Sequence, residues 1–255
     1  MKYCFTTLAI GEPYETITKK FFTDLSTKTK HCDFFITTTN KDFCHENERV
    51  KINVINPPAL RTTHNWLGFN FNLNLKCLSM KHILSYQKQE KVKNSNFENY
   101  DFVIFCDGDW SMHEEFSEEK ILSMLERLKN EDIDFLFERP ASIKDGKQNP
   151  SQCFYKNKLE DYDVFIHNKW DEAHVPNEQF LVFKNNDKFK FFVQRWEMFL
   201  WYCIANDITN YPDGFEIGVS AHEANMKYAY YGYFNHHLIN CFKFLTKHGD
   251  SNTRF

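Results

Sequence analysis

The sequence predicts an α/β fold in which helices cover both faces of a mainly parallel central sheet, giving three layers. Apolar runs of strand length alternate with amphipathic stretches of helical period through the first half of the chain. Within Phe102-Val103-Ile104-Phe105-Cys106-Asp107-Gly108-Asp109-Trp110, five consecutive apolar residues form the pattern of a strand buried on both faces, which a parallel sheet clad by helices requires. A chain of 255 residues can bury a substantial core, and one domain over 1–255 is the economical reading.

Tyr3 to Ile10 reads as the first strand, apolar and rich in threonine. Gly11-Glu12-Pro13 breaks it, and a helix carrying Ile17, Phe21, Phe22 and Leu25 follows. Strands are predicted at Phe34–Thr37 and Lys51–Ile55, the latter ended by Pro57-Pro58. A longer helix carries Leu73, Leu75, Leu78, Ile83 and Leu84 and gives way to a polar stretch, Gln87 to Asn99. After the Asp107 strand come a helix with Phe116, Ile121, Leu122, Leu125 and Leu128 and a strand at Ile133–Phe137. Pro140 to Asn149, rich in Lys, Gly and Pro, reads as a mobile surface loop. Beyond it, strands are expected at Tyr162–Ile166, Phe180–Phe183 and Ala229–Phe234, and helices at Asp187–Asn206 and Asp213–Lys227. Tyr228, Tyr230, Tyr231 and Tyr233 read as part of a core strand.

Composition narrows the function classes. Residues are 42% hydrophobic and 26% charged, ordinary for a folded domain, and the 27 phenylalanines are spread through every segment as core packing. A net charge of −4 without a basic run argues against nucleic acid as a partner. The eight cysteines show no CxxC and no zinc-like spacing, which suits a reducing compartment. The chain opens on a strand-like segment with no charged-then-apolar leader, and no apolar run approaches the ~20 residues of a membrane span. A cytoplasmic location is expected.

The chemistry centres on Asp107-Gly108-Asp109. In extended backbone, residues i and i+2 point the same way, roughly 7 Å apart. Glycine between them permits a sharp turn and a close approach of ligand to backbone. Two hard oxygen donors at the carboxyl edge of a sheet suit Mg²⁺ or Mn²⁺ carrying a diphosphate. The alternative is a turn in which an aspartate caps its own backbone.

The chain resembles glycosyltransferases of the GT-A type. Asp107-Gly108-Asp109 falls after successive β/α units, as that family's DxD does. Asn177-Glu178-Gln179-Phe180-Leu181-Val182-Phe183-Lys184-Asn185, followed by an aromatic helix reaching Trp196, is similar to the family's strand beneath the donor sugar. Gly214-Phe215-Glu216-Ile217-Gly218-Val219-Ser220-Ala221-His222-Glu223 resembles the segment bearing its catalytic acid. The resemblance implies a nucleotide-binding half (1–110), an acceptor and catalytic half (111–255) on a mixed sheet, and a divalent metal. It also implies a third metal contact from a C-terminal histidine, for which His248 is the candidate and His236 and His237 are rivals. By the same resemblance the first strand, with Thr7 and Ala9, lies near the nucleobase, and Tyr14 is available to stack. Glu178 and Gln179 would read sugar hydroxyls.

Other candidates come from the residues themselves. Lys76 can approach the diphosphate as a point charge or be a solvated lysine, and Arg61 shares that ambiguity. Glu216 and Glu223, seven apart, share one face of a helix, and either can accept the acceptor's proton in an inverting reaction or shield a positive sugar carbon in a retaining one. Asp213-x-x-Glu216 also has capping-box spacing. His222 can orient Glu223, bind the acceptor, or form a surface pair with Glu223. Trp170 and Asp171 offer a sugar platform and acceptor, or Trp170 is buried packing. The combined expectation is a metal-dependent glycosyltransferase moving a sugar from a nucleotide-diphosphate donor, UDP-linked, to a saccharide acceptor. The rivals are a non-catalytic carbohydrate-binding scaffold and a sugar nucleotidyltransferase; the latter needs a glycine-rich, basic phosphate loop after the first strand, which Thr7–Pro13 lacks.

Overall fold

A computed structural model describes residues 1–56, 75–108, 110–112, 116–148, 170–205, 213–230 and 242–244. The described residues form nine strands: β1 (Tyr3–Leu8), β2 (Cys32–Thr38), β3 (Val50–Val54), β4 (Phe102–Cys106), β5 (Trp110–Met112), β6 (Phe135–Ser142), β7 (His174–Lys184), β8 (Tyr228–Tyr230) and β9 (Phe242–Phe244). They also form six helices: α1 (Glu12–Lys28), α2 (Lys76–Lys93), α3 (Glu118–Asn130), α4 (Ile143–Gln148), α5 (Asp187–Ala205) and α6 (Asp213–Glu223).

Seven strands make one mixed, mainly parallel sheet in the order β3-β2-β1-β4-β7-β6-β8, so both halves of the chain contribute to it. Only β7 runs against the rest, pairing antiparallel with β4 and β6. Strands β5 and β9 form a separate antiparallel pair beside α1. The chain builds outward from β1 through β2 to β3, then returns to place β4 on the other side of β1. The order therefore reverses between β1 and β4, and in open α/β sheets a ligand crevice opens outside the carboxyl ends of such a strand pair.

Alternation along the strands divides the core into two apolar clusters, one for each face of the sheet. Tyr3 and Phe5 of β1 and Phe102, Ile104 and Cys106 of β4 join Phe21, Phe22 and Leu25 of α1 and Ile121 and Leu125 of α3. Cys4, Val103 and Phe105 join Met80 and Ile83 of α2, Phe189, Phe192 and Trp196 of α5, and Ile217 and Ala221 of α6. Aromatic stacking fastens this second face: Phe135 of β6 lies 4.5 Å from Phe183 of β7, which lies 5.0 Å from Phe192 of α5.

Several boundaries differ from those the sequence predicts. Helix α2 continues to Lys93, because Gln87 turns inward (4% exposed) and accepts bonds from the Tyr100 N–H and the Asn185 side chain. Over 140–149 the expected loop is instead the end of β6 and helix α4, with Asn149 outside the described residues. A reciprocal cap starts α4: Ser142 Oγ donates to Asp145 Oδ2 at 2.7 Å, and Asp145 N–H donates to Ser142 Oγ at 3.0 Å. Strand β7 reaches back to His174, accommodating Pro176 beside a pairing irregularity opposite Leu136 to Ala141 of β6. Helix α6 ends at Glu223, since Asn225 adopts the left-handed conformation (φ 50°) that halts a helix. Tyr228 and Tyr230 are exposed on the short edge strand β8, with only Ala229 between them buried, so they are not core residues. The predicted strand Tyr162–Ile166 and the end of Ala229–Phe234 lie outside the described residues.

Backbone conformation at one end and a guanidinium at the other fix α1. Gly11 takes φ 90°, a conformation that favours glycine, and lets the chain leave β1 straight into α1. At the other end of α1, the Arg49 guanidinium donates to the carbonyls of Thr29 (2.8 Å), Cys32 (3.2 Å) and Ser26, placing a cation where the helix macrodipole is negative. No helix among the described residues is long and apolar enough to cross a membrane.

Candidate functional site at the strand-order reversal

Asp107 is the first residue past β4, on the edge where the strand order reverses. Continuing the alternation from Phe105, its side chain lies on the α2 side of the sheet, and there it meets Lys76, the first residue of α2. Lys76 Nζ sits 2.9 Å from Asp107 Oδ1 and 5.6 Å from the centroid of the Phe105 ring. Lys76 is buried (4% exposed), whereas the Asp107 side chain is 23% exposed. The solvated-lysine reading of Lys76 is therefore excluded by its burial. It sits in an ion pair with an aromatic face beside it.

Gly108 is glycine for a different reason than a turn conformation, since its φ is not in the left-handed region. A Cβ there would lie 3.0 Å from the Leu8 carbonyl oxygen at the end of β1 and 3.1 Å from Thr18 Oγ1 of α1. The Thr18 hydroxyl donates to the Gly108 carbonyl at 3.0 Å. The close approach that the glycine permits is thus made by the protein's own backbone. The turn bearing Asp107 is hydrogen-bonded to α1 and packed against the end of β1, a firm support for a charged side chain. Tyr14 stands in the same place: its Cβ is 3.6 Å from the missing Gly108 side chain, and its half-buried ring packs on the α1-face cluster.

The remaining nucleotide-side candidates fall along the same edge. Ala9 is buried, and its N–H donates to the Thr37 carbonyl at 2.9 Å, so that donor is engaged within the sheet. Thr7 is buried too, and its Oγ1 has no hydrogen-bond partner among the described residues. Cys106 pairs with Phe180 in the last rung of the β4–β7 ladder, and Glu178 and Gln179 precede that residue along β7. Glu15, in the acidic first turn of α1, accepts from Thr38 Oγ1 at 2.9 Å and Asn40 Nδ2 at 2.7 Å, tying α1 to the end of β2.

The carboxylates of α6 share the face that packs against α5 and the segment before β7. Glu216 is fully buried and accepts from Trp196 Nε1 at 3.0 Å. Glu223 accepts from Trp170 Nε1 at 3.1 Å and forms an ion pair with Arg195. Trp170 is buried, so it packs and does not present a platform. His222 is exposed; burial pushes the neighbouring His174 below the usual imidazole value, and His174 Nδ1 lies 2.6 Å from the Tyr228 hydroxyl. Gly218 faces the start of β7 so closely that a Cβ would fall 2.2 Å from the His174 carbonyl oxygen.

Among the described residues, no three His, Cys, Asp or Glu side chains come together as a metal-binding group. Asp109, His248, His236, His237 and Arg61 lie outside the described residues. What the described part supplies for a hard cation is one carboxylate, Asp107, of the right donor chemistry and already bearing an ammonium. The Lys76 partnership is the feature that sequence reasoning leaves undecided; no spacing signal connects residues 31 positions apart, and only the sheet order joins them. Comparison with family models and with curated proteins returns no match.

Proposed function

We propose that the chain is a glycosyltransferase of the GT-A type, a three-layer α/β/α protein using a nucleotide-diphosphate sugar, UDP-linked, and a saccharide acceptor in the cytoplasm. The observation that carries this reading is the Asp107 carboxylate at the strand-order reversal, held on a stitched turn with a buried ammonium beside it. An anionic diphosphate needs cationic charge at the mouth of the sheet, and Lys76 supplies one ammonium at this edge, paired with Asp107. Helix α1 argues against placing the phosphates at its own N-terminus, as a nucleotidyltransferase would, because its first turn carries Glu12 and Glu15.

In this reading Asp107 and Asp109 hold Mn²⁺ or Mg²⁺, with His248 as the third ligand; the cation, when bound, neutralises charge growing on the leaving diphosphate. Thr7, Ala9 and Tyr14 border the nucleoside, and Glu178 and Gln179 border the sugar. For the acceptor proton, Glu223 is favoured over Glu216. A base must come within hydrogen-bond reach of the hydroxyl, and the Glu223 side chain is 19% exposed whereas Glu216 is wholly enclosed. Trp170 and Arg195 orient that carboxylate, with His222 next to it at the surface.

Calorimetric titration with UDP, with and without Mn²⁺, tests the proposal. Binding strengthened by metal is expected, together with loss of sugar transfer in Asp109→Ala at an unchanged melting temperature. Metal-independent indifference to UDP would favour a carbohydrate-binding scaffold, and wild-type turnover in Asp109→Ala would remove the metal assignment.

A further inference from the structure

We propose that the outer face shared by α2 and α5 docks on the surface of a lipid bilayer bearing anionic headgroups, its large apolar side chains entering the interface and its lysines meeting the lipid phosphates. This goes beyond the transferase reading and does not depend on it.

Helices α2 and α5 lie side by side and antiparallel on one face of the sheet: Lys81 pairs with Glu197 toward one end, and Gln87 bonds to Asn185, just before α5, toward the other. Their outer surfaces therefore face the same way. Along α5, Phe191, Met198, Trp201 and Tyr202 are between 41% and 57% exposed, and their spacing puts them on one stripe of the helix. With Val92 of α2 they make five of the nine large hydrophobic side chains that are exposed among the described residues. Single exposed apolar groups are ordinary on a protein surface, but a cluster of them marks a contact with something apolar.

The chemistry of that contact follows from charge. Apart from Lys76, buried against Asp107, the two helices carry seven Lys or Arg and three Asp or Glu, in a chain of net charge −4. All three acids are already bonded to a lysine of the same two helices: Glu90 to Lys93, Asp187 to Lys190 and Glu197 to Lys81. Lys188 pairs with the buried Asp134, and Arg195 with Glu223. Lys88 and Lys91 are exposed, with no acidic partner among the described residues, so the face keeps a positive surplus. Large apolar groups beside lysines on flexible stems suit the boundary of a bilayer, where rings sit at headgroup level and ammonium groups reach the phosphates. An anionic leaflet attracts each such lysine. A second copy of the chain is the competing occupant, but a two-fold contact through this face would set its positive surplus against itself.

Vesicle co-sedimentation of the full chain tests the proposal, with phosphatidylcholine alone and with phosphatidylcholine and phosphatidylserine at about 3:1. Wild type should partition about tenfold more strongly onto the serine-lipid vesicles, and molar salt should remove most of the difference. Phe191→Ser with Trp201→Ser should lose about tenfold in partitioning at an unchanged melting temperature. Lys88→Glu with Lys91→Glu, which leaves every apolar group in place and serves if the first variant fails to fold, should lose about fivefold or more, on the anionic vesicles alone. Val54→Ser, at an exposed apolar residue of β3, should change nothing. Equal or absent binding of wild type to the two vesicles refutes the proposal, as does wild-type partitioning in both double variants. Sedimentation showing a dimer that Phe191→Ser with Trp201→Ser dissolves, without vesicle binding, also refutes it and assigns the face to a second copy.

Discussion

Replacing Gly218 by alanine sets two well-characterised effects against each other, and the structure decides which one wins. Gly218 lies inside α6, where alanine is favoured over glycine by about 1 kcal/mol on helix propensity alone. The added methyl, however, would fall 2.2 Å from the His174 carbonyl oxygen, 3.0 Å from its carbon and 3.4 Å from Val175 Cα. All three are backbone atoms, so no side-chain rotamer change relieves the contact. Restoring an ordinary separation requires α6 and the start of β7 to part by roughly 1 Å. Overpacking of this kind costs about 1–3 kcal/mol, at the upper end where the obstruction is rigid. Net destabilisation should therefore be about 2 kcal/mol, a fall in melting temperature of ~4–8 °C for a chain of this size. Far-ultraviolet circular dichroism gives the melt. Fluorescence of Trp170 and Trp196, both bonded to α6 carboxylates, reports the local shift. A melting temperature equal to or above wild type would show that α6 and β7 are not in contact there, and would undo the account of how Glu216 and Glu223 are positioned.

Two further outcomes follow from the same geometry. His82, on α2 against the edge of the Phe35 ring, is pushed down to about 4 by burial from an ordinary value of 6.5. The unfolded chain therefore binds a proton that the native protein refuses between those values. Stability should be unaffected by this group above pH 6.5 and decline as pH falls toward 4, by about 1.4 kcal/mol per pH unit at the steepest. Urea denaturation across that range should show a shallower decline in His82→Phe, and an identical slope would contradict the assignment. Glu216→Gln keeps an oxygen for Trp196 Nε1, so transfer should stay within threefold of wild type with stability changed by about 1 kcal/mol or less. Glu223→Gln should lose at least tenfold in turnover; the reverse ranking, measured with a donor-hydrolysis or transfer assay, would exchange their roles.

How much was legible in the sequence depended on the range of the forces involved. The first four sheet strands are marked by runs such as Phe34–Thr37 and Phe102–Cys106, whose burial is dictated locally by composition, and each forms a strand. Helix ends were harder, because single side chains with distant partners set them. Gln87 looks like the start of a polar linker until Tyr100 and Asn185 supply its bonds from 13 and 98 residues away. The cap at Ser142-x-x-Asp145 was a local signal and readable, yet the surrounding Lys, Gly and Pro content pointed to a loop. Tyr228 and Tyr230 show the opposite failure. Alternating aromatics suit a core strand and an exposed edge equally, and only the position of β8 at the end of the sheet order distinguishes them.

The site was legible to the same extent. Asp107 announces itself through the apolar strand before it, but its partner does not. Lys76 begins a helix with no cap, and nothing in the neighbouring residues says whether its ammonium faces water or a carboxylate. The answer comes from crossing β1: α2 covers the face to which Phe105 and Asp107 both belong, so its N-terminus is delivered to the carboxyl end of β4. Gly108 completes the argument from the other face, where Thr18 and the Leu8 carbonyl fill the space a side chain would need. One turn is thus fixed on one side by α1 and β1 and charged on the other by α2. A carboxylate mounted on a turn held in this way parts from its ammonium by rotation of the Asp107 or Lys76 side chain rather than by movement of the backbone.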